Sequence, residues 1–203
     1  MSENKRALFK QWLGSSKTSL QPLTFSQREL WETSPVPAGD TANHISCLIY
    51  LRGLITAEAC ENALRRVVER QDVFRTSFLP GKGRPIQMIR ESSDFNFRYR
   101  ELSSAHRSDE AVEELAQEIF GRPFDLVQGP LYRTLVLRRA ADDHVFVFAI
   151  HHSIADGWSL GVFVQDLCAA YVQRLLGMRE GLQPLPLTYS TWGADERALW
   201  QPA

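Results

Sequence analysis

The sequence predicts a two-layer α/β sandwich built on a mixed sheet, and three observations carry that prediction. Segments whose apolar residues recur near every 3.6 positions are interleaved with short β-branched and aromatic runs. Residues 131–139 and 144–151 are separated only by Ala140-Ala141-Asp142-Asp143, the clearest hairpin in the chain. The return strand, HVFVFAI, is apolar almost throughout, which places it centrally with both faces buried.

Residues 3–13 set Leu8, Phe9, Trp12 and Leu13 on one face of an amphipathic helix that Gly14-Ser15-Ser16 ends. A second helix starts near Thr24 or Phe25 and carries Gln27, Leu30 and Trp31 until Pro35 and Pro37 break it. Residues 44–51 alternate as a strand does, and Thr56 then caps a helix that buries Ala59, Ala63, Leu64, Val67 and Val68 before fading at Gln71. Three strand-like runs follow, 73–79, 85–90 and 95–101, with a turn at Pro80-Gly81-Lys82-Gly83, and they read as a meander.

Ser108 caps a helix over 108–120, Asp109 and Glu110 suit its positive end, and Gly121 stops it. After the hairpin, a long helix over 159–176 should bury Val162, Phe163, Leu167, Ala170, Tyr171 and Leu175, with Gly177 as its stop. From Met178 onward the pattern changes. Pro184 and Pro186 make an extended stretch, and Tyr189, Trp192, Leu199 and Trp200 have too little chain to pack a core of their own.

Lys and Arg number 23 against 24 Asp and Glu in 203 residues, so no net positive field holds nucleic acid or an anionic membrane. The polar start Met1-Ser2-Glu3-Asn4-Lys5-Arg6 and the lack of a long apolar run argue for a soluble, cytoplasmic protein. Cys47, Cys60 and Cys168 form neither a disulfide framework nor a zinc spacing and read as reduced core thiols.

The chemistry concentrates in His151-His152-Ser153-Ile154-Ala155-Asp156-Gly157, where two histidines end a buried strand just before a helix. Successive strand residues point to opposite faces, so His151 and His152 cannot address one reacting atom. That opposition disfavours zinc coordination, and no further ligand lies close in sequence. On residue types alone, two satisfied core histidines with an aspartate capping the helix explain the run equally well. His44 and His106 read as surface residues, His144 as the start of the return strand, and Trp12, Trp31, Trp158 and Trp192 as packing residues.

The run matches HHxxxDG, and the chain thereby resembles the condensation domains of non-ribosomal peptide synthetases. Two other stretches agree in order. Ser26-Gln27-Arg28-Glu29-Leu30-Trp31 is similar to the family's first motif, with Glu29 as a departure; residues 69–78 are similar to the second, with Gln71 and Phe74 where histidine and leucine are common. The resemblance implies a chloramphenicol-acetyltransferase-like fold of two lobes. On that pattern, residues 1–15 are a linker helix, 16–178 the amino-terminal lobe, and 179–203 a crossover toward a missing carboxy-terminal lobe.

The function it implies is amide bond formation between thioesters carried by upstream and downstream peptidyl carrier proteins, with phosphopantetheine arms supplied by those partners and no cofactor or metal held here. An isolated lobe is then expected to be inactive. His152 is the candidate to accept or orient the amine's proton, since imidazole titrates near neutrality, and Gly157 the candidate backbone donor to the oxyanion. His151 is expected to support the loop, and Asp156 to hold it with Arg75 as ionic partner by family analogy. A related epimerisation or hydroxyl acyltransferase domain and a non-catalytic docking module are the alternatives.

Overall fold

The computed structural model describes residues 18–33, 40–79, 85–91, 95–178 and 182–199. In chain order the elements are β1 (Thr18–Pro22), α1 (Phe25–Thr33), β2 (His44–Arg52), α2 (Ala57–Arg70), a 3-10 turn (Asp72–Arg75), β3 (Thr76–Leu79) and β4 (Ile86–Arg90). There follow β5 (Tyr99–Glu101), a 3-10 turn (Ser104–His106), α3 (Asp109–Phe120), β6 (Tyr132–Arg138), β7 (Asp143–His151), α4 (Gly157–Leu175) and α5 (Tyr189–Leu199). The expected helix over residues 3–13 and the turn at 80–83 lie outside the described residues.

The α/β class and the mixed sheet are as expected. Four strands run in the order β2-β7-β6-β5, with β7 antiparallel to both neighbours and β5 parallel to β6. Phe146, Phe148 and Ile150 of β7 join one core with Leu64 and Val67 of α2 and Phe163 of α4, where the Phe148 and Phe163 rings stack at 4.3 Å. Val145, Val147 and Ala149 join the other, with Val112, Ala116 and Ile119 of α3. The period-2 alternation of a strand thus splits one apolar run between two cores, and helices cover both faces.

Local signals account for most boundaries. Thr56 and Ser108 each accept the N–H three residues on, at 3.2 Å, and so cap α2 and α3. At α1 the cap is reciprocal: Thr24 Oγ1 accepts from Gln27 N (3.3 Å) while Gln27 Oε1 accepts from Thr24 N (3.0 Å).

The expected meander is corrected. Strands β3 and β4 do pair, but β4's other neighbour is β1, which lies where the sequence showed only linker, and together they make a second, three-stranded sheet. Residues 99–101 leave for the first sheet, while Phe95 and Phe97 pack against its core. Residues 73–75 belong to a 3-10 turn that reverses the chain between α2 and β3, not to a strand.

On α4 the packing face is Phe163, Leu167, Ala170 and Tyr171; Val162 and Leu175 lie outside it, 39% and 61% exposed. Trp158 is 84% exposed and Cys168 is exposed, so neither is the core residue expected. Among the described residues, no helix is long and apolar enough to cross a membrane.

Residues 189–199, expected only as part of a crossover, form α5, which lies back on the lobe. Ser190 donates to Asp72 through both its N–H (3.2 Å) and its hydroxyl, Glu196 accepts from Phe25 N, and Tyr189 Oη meets Thr24 Oγ1 at 3.0 Å. Gly193 permits this approach, since a Cβ there would stand 2.7 Å from Thr24 Cγ2. Gly193→Ala is therefore expected to destabilise the chain by about 1–3 kcal/mol through overpacking, despite alanine's higher helix propensity. Urea denaturation checks this, and a stabilised variant would show that the helix does not sit on Thr24.

Candidate active site

Strand β7 ends on His151, and the chain turns at once, so the two histidines part. His151 is buried at 4% exposure, beside the rings of His44 (6.0 Å) and Phe124 (6.2 Å). Its Nδ1 accepts from Ser153 N at 3.1 Å and pairs with Ser153 Oγ at 2.7 Å. A backbone N–H can only donate, so Nδ1 carries no proton and the ring is held in its neutral Nε2–H form. Burial, with smaller contributions from His44 and His152, pushes its pKa down to about 4.

His152 is exposed, and its backbone N–H donates to Asn43 O at 2.8 Å. Its side chain lines a cavity of about 560 Å³ whose walls include Leu30, Phe74, Phe148, Trp158 and Phe163. Ser153, Asp156 and Gln27 also reach this cavity. An imidazole on the wall of a largely apolar pocket is placed to exchange a proton with a bound molecule.

The other expected site residues are distributed differently. Asp156 is an exposed helix cap, not a buried carboxylate: its Oδ1 accepts from Ser159 N (2.8 Å) and Ser159 Oγ (2.6 Å), and Ser159 Oγ accepts from Asp156 N (3.2 Å). These hydrogen bonds hold its pKa below the usual carboxylate value. Arg75 is not its partner. That guanidinium donates to the carbonyls of Arg90 (2.7 Å), Glu91 (3.2 Å) and Glu69 (3.4 Å), tying β4 to the end of α2. With the first helical turn already supplying donors, Asp156 needs no cation.

Gly157 opens α4, and its N–H and that of Trp158 have no intrahelical acceptor. A Cβ on Gly157 would meet nothing within 4 Å, so the lobe itself does not require glycine there.

Two residues matter more than the sequence indicated. His44 is half-buried rather than a plain surface group, its Nδ1 3.2 Å from Phe120 O and its ring 4.6 Å from that of Phe124. Gln27, 3% exposed, donates from Nε2 to Ser153 O and Gln87 Oε1, each at 3.3 Å. The spacing Thr24-x-x-Gln27 is a capping-box signal that could have marked it.

Because His151 has its ordinary 6.5 when unfolded and about 4 when folded, the unfolded chain binds more protons between those values. Its contribution to stability is therefore complete above about pH 6.5 and is lost as pH falls toward 4, by about 3 kcal/mol in all. Denaturation midpoints between about pH 7 and about pH 4.5 should fall less steeply for His151→Phe than for the parent. Asp156→Ala, a lost cap, is expected to lower stability by about 1 kcal/mol in the same assay at neutral pH.

Comparison with known proteins identifies the family. The family described as Condensation domain matches residues 17–201. Bacitracin synthase 3 of Bacillus licheniformis is 31% identical over 179 residues, which cover 88% of this chain and 3% of that protein. Phosphinothricin tripeptide synthetase PhsC of Streptomyces viridochromogenes is 33% identical over 180 residues, 88% of this chain and 17% of that one. The starter condensation domain of rhizomide synthetase RzmA superposes with a TM-score of 0.80 at 19% identity, over 91% of this chain and 45% of that one. The X-domain from teicoplanin biosynthesis gives 0.74 at 27% identity, over 88% and 38%. The chain thus spans under half of each of these solved relatives and a small part of the synthetases. Its ordered motifs, its two sheets and the family match over residues 17–201 together show that it belongs to the condensation domain family of non-ribosomal peptide synthetases.

Proposed function

We propose that this chain supplies the histidine-bearing half of a condensation-type acyltransferase, which joins a carrier-bound acyl or peptidyl thioester to the amine of a carrier-bound aminoacyl group. The observation that supports this reading most is the division of labour at the end of β7. His151 is sealed and neutral, while His152 is free on the wall of an apolar cavity.

In the reaction, the amine nitrogen attacks the thioester carbonyl. The C–N bond forms, the C–S bond breaks, the amine loses a proton and the departing thiolate gains one, leaving an amide and a thiol. His152 can accept or orient that proton, and its apolar surroundings limit competing hydrolysis by water. The N–H groups of Gly157 and Trp158 are the local candidates to face the oxyanion. His151 and Asp156 hold the loop ends on either side of His152, and Arg75 stabilises the scaffold behind it. Phosphopantetheine arms on the two carriers bring both thioesters, so the lobe itself needs to hold no cofactor.

A second half is needed to enclose the site, because the cavity is open and Trp158 beside it is largely exposed. Loaded carriers should therefore give product only when the chain is combined with a carboxy-terminal half-domain. In that combination His152→Ala should lower product formation by about 10²–10⁴-fold with an unchanged circular dichroism spectrum. Full activity of the variant, or robust turnover by the chain alone, would overturn the reading. A docking role is the second reading, favoured by the solved complex of the teicoplanin X-domain with OxyB, whose X-domain resembles this chain at TM-score 0.76 and 26% identity. Carrier titration separates the two, since a docking module of that kind need not bind loaded carriers.

A further inference from the structure

We infer that Gln27 is a positioning residue for His152, and that helix α5 acts on His152 through it by way of the hydrogen-bonded relay Tyr189–Thr24–Gln27–Ser153. The inference rests on the proposed function only for its activity arm.

The relay begins at Tyr189 Oη, 3.0 Å from Thr24 Oγ1. Thr24, fully buried, is tied to Gln27 twice by the reciprocal cap of α1. This cap orients the Gln27 amide. Thr24 N is a donor, so the group facing it is Oε1, and the two protons of Nε2 are left for Ser153 O and Gln87 Oε1. Gln87 is consistent with that assignment, because its own Nε2 donates to Pro22 O at 3.1 Å and leaves its Oε1 to accept.

Ser153 is consequently held at three atoms, N and Oγ by His151 Nδ1 and O by Gln27, while His152 N is held by Asn43 O. The backbone on both sides of His152 is thereby pinned, and the direction in which the imidazole leaves the chain follows from it. Both Nε2 contacts, at 3.3 Å, are at the long end for hydrogen bonds, so a small displacement of α1 strengthens or breaks them. Helix α5 is in a position to cause one. It touches the N-terminal end of α1 through Tyr189, Gly193 and Glu196, and of its residues only Gly193 is buried.

Three substitutions interrupt the relay at different points: Tyr189→Phe removes one hydroxyl, Gln27→Leu removes the amide, and Gly193→Ala pushes α5 off Thr24. Tyr99→Phe, which removes a hydroxyl facing His144 instead, is the control. In the 203-residue chain, the imidazole Cε1–Hε1 NMR signal of His152 should shift in all three relay variants and stay in place in the control. A His152 signal unmoved by Tyr189→Phe overturns the inference, and this variant decides the matter even if Gln27→Leu fails to fold.

With the complementary half and loaded carriers, Tyr189→Phe should lower kcat by about tenfold while KM stays within about twofold, the pattern of a misplaced reacting group. An unchanged kcat alongside an inactive His152→Ala also overturns the relay. An active His152→Ala instead overturns the functional reading, and the NMR result still judges the relay.

Discussion

Everything at this site depends on strand β7 being buried on both faces up to its last residue. A strand in that position sends alternate side chains into two separate cores, and two adjacent histidines at its end cannot share an environment. His151 meets a dry pocket of aromatic rings, where the charged form of imidazole is unfavourable. His152 falls where the strand has become a turn, and it meets a cavity. One covalent neighbour is therefore neutral near pH 7 while the other stands on the cavity wall.

Polar groups buried around the loop fix what the strand leaves open. A buried donor or acceptor left without a partner costs roughly 1–3 kcal/mol, so each such group near the loop constrains its neighbours. Ser153 and Gln27 make this concrete, since both are nearly inaccessible and both are bonded at more than one atom. The loop that follows β7 is thus held from the two sheets at once: from β7 through His151, and from β4 and α1 through Gln87 and Gln27. Arg75 contributes at a distance, bracing β4 against α2 rather than neutralising Asp156.

Much of this was legible in the sequence where a single local rule decides the outcome. Strand β2, helices α2 and α3 with their Thr56 and Ser108 caps, the β6–β7 hairpin and the opposition of the two histidines all follow from periodicity or capping. What was not legible required knowing a partner far along the chain. Residues 18–22 are a strand only because β4 lies alongside, and residues 189–199 are a helix that rests on α1 and Asp72. His44 looked like a surface residue because nothing nearby in sequence announces Phe124 or His151 as its neighbours. The Asp156–Arg75 pairing failed for a different reason: a helix N-terminus satisfies a carboxylate locally, which made a remote cation unnecessary.

The pairing of β2 with β7 sets His44 opposite His151 and Arg52 opposite Asp143, so β2 waits for a partner made much later in synthesis. Until then its hydrogen-bonding edge and the apolar faces of α2 have no sheet to cover them. Contacts this distant in sequence slow folding through loop-closure entropy and prolong the exposure of sticky intermediates. The β6–β7 hairpin, by contrast, is a local contact of a kind that forms in roughly 1–10 μs, and its β7 edge is the one β2 pairs with. A chain interrupted before Asp143 would leave β2 without its partner strand, its edge open to pairing with neighbouring molecules.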